Sequence, residues 1–374
     1  MEGEEIYRDL QRHLDRMPIP YPATESGVEI RILKRLFTPE EVRVALCLSA
    51  IPEPLEAIHR RVEHEMGREQ LGQALDRMAD KGSIQKMPGK DGPVYGKSPL
   101  VLGMYEAQIN RLTPELERDV RAYFDEAFGR ALHTKRTPQM RTVPVNKSID
   151  VERAVASYDD IRKFVEASPG PFAALNCICR QGKDLTGEPC RQTKERQNCL
   201  MIGVAATSMI KKAGAREVDK QEMLGLLEQA DREGLVLEPQ NTLEPLFVCC
   251  CCGCCCGVLT TAKKLPRPAE FFQTDFVARI DPDTCQVCGT CELRCQMEAI
   301  VSGGEPPAVV VERCIGCGLC VTTCPSGAVR LHKKEGRKPP PKDTPALYSQ
   351  IFQERYGHLG ATAAMAGHLL GRKF

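Results

Sequence analysis

Cysteine is the residue through which this chain can do chemistry: there are twenty, of which Cys47 stands alone and the other nineteen lie between Cys177 and Cys324. Cys285, Cys288, Cys291 and Cys295 follow a C-x2-C-x2-C-x3-C spacing, and Cys314, Cys317, Cys320 and Cys324 repeat it, each displaced by 29 residues. Spacings this short let one loop wrap an iron–sulfur cube and present three thiolates to three irons. A zinc ribbon uses two C-x2-C pairs separated by a longer loop, and does not need three cysteines in a tight run plus a fourth. The repeat therefore reads as two 4Fe–4S sites. Gly289, Gly316 and Gly318 would let backbone amides approach the cluster sulfurs. Val309-Val310-Val311 reads as a strand before the second loop, and Ile300 and Val329 are matching apolar positions in the two halves.

Two more cysteine groups lie upstream. Cys177, Cys179, Cys190 and Cys199 give C-x-C-x10-C-x8-C, and seven thiols fill the eight positions from Cys249 to Cys256, broken by Gly253. So many adjacent thiols in a reduced protein are not all inert packing residues. Consecutive thiols on an extended chain face opposite sides, so only some of them can reach one centre. The candidate ligands are Cys177, Cys179, Cys190, Cys199, Cys249, Cys251, Cys252, Cys254, Cys255 and Cys256. They suit one or two further iron–sulfur clusters, held by each group separately or shared between them. One zinc held by Cys177, Cys179, Cys190 and Cys199 is the alternative, and redox thiol chemistry a third reading.

The elements that position these residues divide the chain into an α+β, multidomain fold. Residues 1–25 read as an N-terminal arm. Residues 26–108 read as three helices and a hairpin. Thr38-Pro39-Glu40-Glu41 is a capping box with proline at the first helical position. A short helix carries Leu55, Ile58 and Val62, and a third runs from Arg68 to a stop at Gly82. Gly89-Lys90-Asp91-Gly92 turns the hairpin. Residues 109–263 form a helical, cysteine-rich domain, with one helix capped by Asp219 and Glu222 and closed by Gly234. Lys263-Lys264-Leu265-Pro266-Arg267-Pro268 reads as a linker into the repeat domain at 270–333. Residues 334–374 read as a proline-rich, solvated linker, Arg337 to Lys342, and a small amphipathic tail.

These pieces resemble known ones. The repeat resembles the bacterial dicluster ferredoxin domain, and residues 26–108 resemble a winged-helix domain. The ordered run of winged-helix-like start, Asn176-Cys177-Ile178-Cys179-Arg180, the Cys249–Cys256 string and the ferredoxin end resembles multi-cluster ferredoxin-like proteins of anaerobic bacteria and archaea. The ferredoxin resemblance implies crossed ligation, with cluster one on Cys285, Cys288, Cys291 and Cys324, and cluster two on Cys314, Cys317, Cys320 and Cys295. It also marks a departure: Cys324 is followed by Pro325, as in the family motif, whereas Cys295 is followed by Gln296. The multi-cluster resemblance implies asparagine where this chain has Cys250, which leaves Cys250 outside the ligand set. The Cys-Cys-Gly element is similar to heterodisulfide-reductase cluster motifs, whose distant Cys-x-x-Cys half is not matched, so that activity is not carried over.

Composition narrows the function. A formal net charge of +1 gives no global field for nucleic acid or an anionic membrane. Residues 26–105 carry 12 Lys/Arg against 11 Asp/Glu, which argues against DNA as a partner and favours a docking module. The acidic N-terminus lacks a secretory pattern and no apolar run reaches a membrane span, so a cytoplasmic setting and no membrane contact are expected. There is no G-x-G-x-x-G fingerprint, Walker A loop or radical-SAM C-x3-C-x2-C spacing, and the seven histidines are scattered. The expectation is an electron-transfer protein between a redox donor and an acceptor, using low-potential centres suited to anaerobic metabolism, with an iron–sulfur redox-sensing DNA-binding regulator or a catalytic iron–sulfur oxidoreductase subunit as alternatives.

Overall fold

The computed structural model describes residues 2–133, 137–145, 159–303, 306–336, 338–369 and 373. They form mixed helices and antiparallel sheets in two units, residues 1–135 with 348–374 and residues 136–347. No described helix is long and apolar enough to cross a membrane.

The first unit begins with α1 (Glu2–Leu14), which buries Tyr7, Leu10 and Leu14 and packs on α2 (Val28–Leu36) and α3 (Pro39–Ala45). That apolar stripe at helical spacing makes the segment expected as an arm part of the core. The capping box of α3 is formed: Thr38 Oγ1 accepts from the Glu41 amide and the Glu41 carboxylate accepts from the Thr38 amide. Then come β1 (Glu53–Pro54), α4 (Leu55–His59) and α5 (Arg68–Asp80). Gly82 ends α5 at φ 77°, where a side chain would collide with Ala107. β2 (Ile84–Gly89) and β3 (Gly92–Lys97) pair across a two-residue turn, in a sheet of order β1-β3-β2. α6 (Pro114–Tyr123), capped by Thr113, runs through a π-helical turn at Phe124–Phe128 into α7 (Gly129–Leu132).

The second unit places α8 (Ile161–Ala167), β4 (Phe172–Leu175), α9 (Ile178–Leu185), β5 (Cys199–Ile202), α10 (Val204–Ala213), β6 (Arg216–Val218), α11 (Lys220–Arg232), β7 (Val236–Pro239), β8 (Phe247–Cys251) and α12 (Gly257–Lys263) before the repeat. Five of its strands make one antiparallel sheet of order β6-β4-β5-β8-β7. Asp219 caps α11 by accepting from the Glu222 amide at 2.8 Å. The repeat adds β9 (Phe276–Ile280), α13 (Thr290–Arg294), β10 (Ile300–Val301), β11 (Ala308–Val309), α14 (Leu319–Thr322) and β12 (Val329–Lys333).

One expected linker is packed structure, and the other is held to the unit at one point. Leu259 and Ala262 of α12 share one buried core with Val248, Phe272, Met297, Ile315 and Leu319, so the cysteine-rich region and the repeat form one unit. The proposed linker at 263–268 is held at both ends: Arg313 donates to the Lys263 carbonyl at 3.2 Å and the Ala269 amide to the Glu312 carbonyl at 2.8 Å. Apolar burial on both sides overrides the Lys/Pro composition there. In the stretch expected to be solvated, Pro340 is buried and the Pro341 carbonyl accepts from the Leu243 amide at 2.8 Å. Arg337 in that stretch, and Leu370 and Phe374 in the tail, lie outside the described residues. The tail belongs to α15 (Thr344–Leu369), interrupted at Gly357. Inside the first unit it returns to the N-terminal segment, where Arg355 donates to the Met17 carbonyl at 2.6 Å and Tyr356 to the Arg16 carbonyl at 2.9 Å.

Candidate metal centres

The repeat folds as two matched halves. β9 pairs with β12 over five residue pairs, from Phe276↔Lys333 to Ile280↔Val329, and β10 pairs with β11. Each half has three left-handed positions, Val287, Glu298 and Gly289 in the first and Gly316, Gly327 and Gly318 in the second. They correspond at the same 29-residue displacement as the cysteines. Gly316 shows why the turn is demanding: a Cβ there would sit 2.4 Å from the Phe276 carbonyl oxygen.

This backbone brings the thiols together across the halves. Cys324 lies within electrostatic reach of Cys288 and Cys291, whereas Cys295 faces Cys314, Cys317 and Cys320. That is the juxtaposition crossed ligation requires. The Ala299 amide donates to Cys295 Sγ at 3.2 Å and the Ala278 amide to Cys314 Sγ at 3.4 Å. Burial raises the pKa of Cys324, but hydrogen bonds from Val329, Ser326 and the equivalent amide of Ala328 outweigh it and leave the pKa lowered. Burial raises that of Cys320, reinforced by the surrounding thiols. Among the described residues no three of these eight thiols converge within 4.8 Å. Eight thiols, opened in two sets and met by backbone amides, fit a pair of 4Fe–4S clusters.

The upstream thiols are arranged differently. In β8 alternation puts Cys249 and Cys251 on one face and Cys250 with Val248 on the other. Cys199 pairs with Cys249 across β5–β8, and Glu238 with Cys249 across β7–β8. Cys177, the N-cap of α9, and Cys179, in its first turn, meet these from the helix side. The result is a chain of neighbouring thiols running Cys177, Cys179, Cys256, Cys251, Cys249, Cys199. Glu238 joins Cys251 and Cys256 within 4.8 Å. A second group is separate and closed: Cys190, Cys252, Cys254 and Cys255 all lie within 4.8 Å of one another. The alternative zinc quartet of Cys177, Cys179, Cys190 and Cys199 therefore does not converge among the described residues. The β5–β8 register draws Cys199 to Cys249, while Cys190 closes on the turn after β8.

Comparison with known proteins bears on the repeat. A family model described as the 4Fe-4S dicluster domain matches residues 278–325. The chain carries a 4Fe–4S dicluster domain. An uncharacterised ferredoxin of Methanocaldococcus jannaschii is 35% identical over 66 residues, which cover 17% of this chain and 44% of that protein. The chain thus spans less than half the length of the curated relative it matches. No solved structure matches the chain.

Three residues around the dicluster domain and the upstream thiols take roles that spacing alone did not assign, and only Glu238 lay outside every motif. Glu238 is a buried carboxyl whose pKa burial pushes up to about 8, against a hydrogen bond from Cys251. Its only sequence signal is a lone acid inside Leu235-Val236-Leu237-Glu238-Pro239. Arg180 is fully buried and donates to Asn198 Oδ1 at 3.1 Å and to the Cys250 carbonyl at 3.0 Å. Burial opposes its charge, but the Cys177, Cys252 and Cys190 thiolates outweigh that and raise its pKa. Gln296 stands where the other half of the dicluster domain has proline. Its Oε1 accepts from the Gly253 amide at 2.7 Å and its Nε2 donates to Gln192 Oε1 at 3.0 Å. The departure after Cys295 thus ties the domain to the turn carrying Cys252 and Cys254.

Proposed function

We propose that the chain passes single electrons between a redox donor and an acceptor through the dicluster domain, with further metal bound by the upstream thiols. The observation that carries this is the repeat itself: two matched loops in which Cys324 neighbours Cys288 and Cys291, and Cys295 neighbours Cys314, Cys317 and Cys320. Cys285, Cys288, Cys291 and Cys324 would hold one cluster, and Cys314, Cys317, Cys320 and Cys295 the other. Iron–sulfur clusters supply reversible one-electron chemistry when bound. The chain's own part is to hold the thiolates and aim amides at their sulfurs, as Ala278, Ala299 and Ala328 do, which favours the added negative charge. Cys288 is exposed, and beside it Val287 and Leu293 are 46% and 89% exposed, an apolar edge at which a redox partner can approach. The chain of six thiols with Glu238 is the best-placed site for a third iron–sulfur centre.

Residues 26–108 read as a winged-helix-like docking module. The exposed face of α5 sets Arg68 and Arg77 against Glu69 and Asp80, and Arg68 is already paired with Glu56. Such a face has little surplus charge for phosphate.

The test is electron delivery: anaerobically purified chain, reduced and freed of reductant, is mixed with a one-electron acceptor such as cytochrome c. Stoichiometric, repeatable oxidation is expected. Iron that cannot be reduced and reoxidised would sink the proposal.

A further inference from the structure

The closed group of upstream thiols has a geometry of its own. Cys190 Sγ lies 3.7 Å from Cys252 Sγ and 3.8 Å from Cys254 Sγ, and Cys254 Sγ lies 3.6 Å from both Cys252 Sγ and Cys255 Sγ. A tetrahedron of four thiolates around one zinc, with bonds of about 2.3 Å, has edges of about 3.8 Å. A cube spreads its thiolates wider, because each binds a different iron. The dicluster thiols are the control within the same chain, since no three of those eight come within 4.8 Å.

We infer that Cys190, Cys252, Cys254 and Cys255 form a single-ion site for zinc. This rests on the reading that the upstream thiols hold metal, and it names the metal for one of their two groups. Four-coordinate all-thiolate sites select zinc or iron, and zinc stands above ferrous iron in intrinsic affinity. The charge is matched as well. Four thiolates around a divalent cation leave two negative charges, and the buried guanidinium of Arg180 stands beside Cys190 and Cys252. Cys252 and Cys255 are buried, while Cys190 and Cys254 are half-buried, so the ion would have a route in. The turn is braced from outside: the Cys256 amide returns to the Cys252 carbonyl at 3.2 Å, and Gln296 holds the Gly253 amide. A Cβ at Gly253 would meet the Gln296 carbonyl oxygen at 2.4 Å, so the turn packs directly on the dicluster domain. A redox-silent ion here would fasten the sheet to the electron-carrying domain without drawing electrons from it.

The full chain, produced with both iron and zinc supplied and purified anaerobically, is assayed for both metals and its zinc examined by X-ray absorption. About one zinc per chain is expected, with four sulfur neighbours at about 2.3 Å and no metal neighbour. Cys254→Ser and Cys190→Ser should each lose the zinc and keep the iron. A protein without zinc in which these variants lose iron would overturn the zinc assignment and leave upstream metal binding standing. No zinc, with iron confined to about eight atoms and unchanged in the variants, would overturn both. A zinc shell containing nitrogen or oxygen would overturn the four-thiolate site.

Discussion

The dicluster domain and the upstream region both concentrate thiols, and they do so by opposite means. In the domain each motif is a single loop, and the same sequence of left-handed turns occurs twice. In the upstream region the thiols come from α9, β5, β8, the turn after β8 and the loop carrying Cys190, joined by antiparallel register. The loops leave their thiols apart, as a multi-iron group needs, whereas the closed upstream group stands at the spacing of one ion. Local wrapping and long-range register thus lead to different thiol spacings in one core.

The largest test of that contrast is Cys317→Ser. It should cost about four irons, by losing one ferredoxin cluster, and leave the upstream metal in place. Loss of all metal would mean that the shared core, not the ligand set, decides occupancy. Next is Gly316→Val, which forces a β-branched residue into a left-handed turn and against the Phe276 carbonyl oxygen. A loss of at least about 2 kcal/mol in denaturant stability is expected. Gln296→Pro, which copies the second half into the first, should cost about 1–3 kcal/mol by orphaning the Gly253 amide. It should also speed release of upstream zinc to a chelator without changing dicluster iron. Unchanged release would make the contact incidental. The smallest effect is Val287→Gly, which should gain about 1 kcal/mol because it relieves the left-handed valine at the position corresponding to Gly316.

How much could be read from sequence follows the same division. The dicluster cysteines were legible because their spacing is local and repeated. Even there, Val287 and Glu298 hid two left-handed positions that Gly316 and Gly327 announce in the second half. The capping box at Thr38 and the stop at Gly82 were legible for the same local reason. The partition of the upstream thiols was not, because only the β5–β8 register sends Cys199 to Cys249 and frees Cys190 for the other group. Glu238 carries no motif and becomes part of the site only through its pairing with Cys249. The linker at 263–268 was misjudged from composition, which does not reveal that it has a surface to pack on, whereas the stretch after 334 is exposed at Lys338, Pro339 and Lys342 as expected, with Pro340 alone of residues 338–342 buried.

The measurement that bears most directly on the dicluster domain as the electron-carrying part is a reductive titration of the anaerobic wild-type chain followed by EPR, with iron and acid-labile sulfide counted on the same sample. Two reducible 4Fe–4S centres are expected, accounting for about eight irons, with spins that interact because the two clusters lie close together in one small domain. A chain holding only zinc, or iron that yields no reversible signal, would contradict electron transfer as its function.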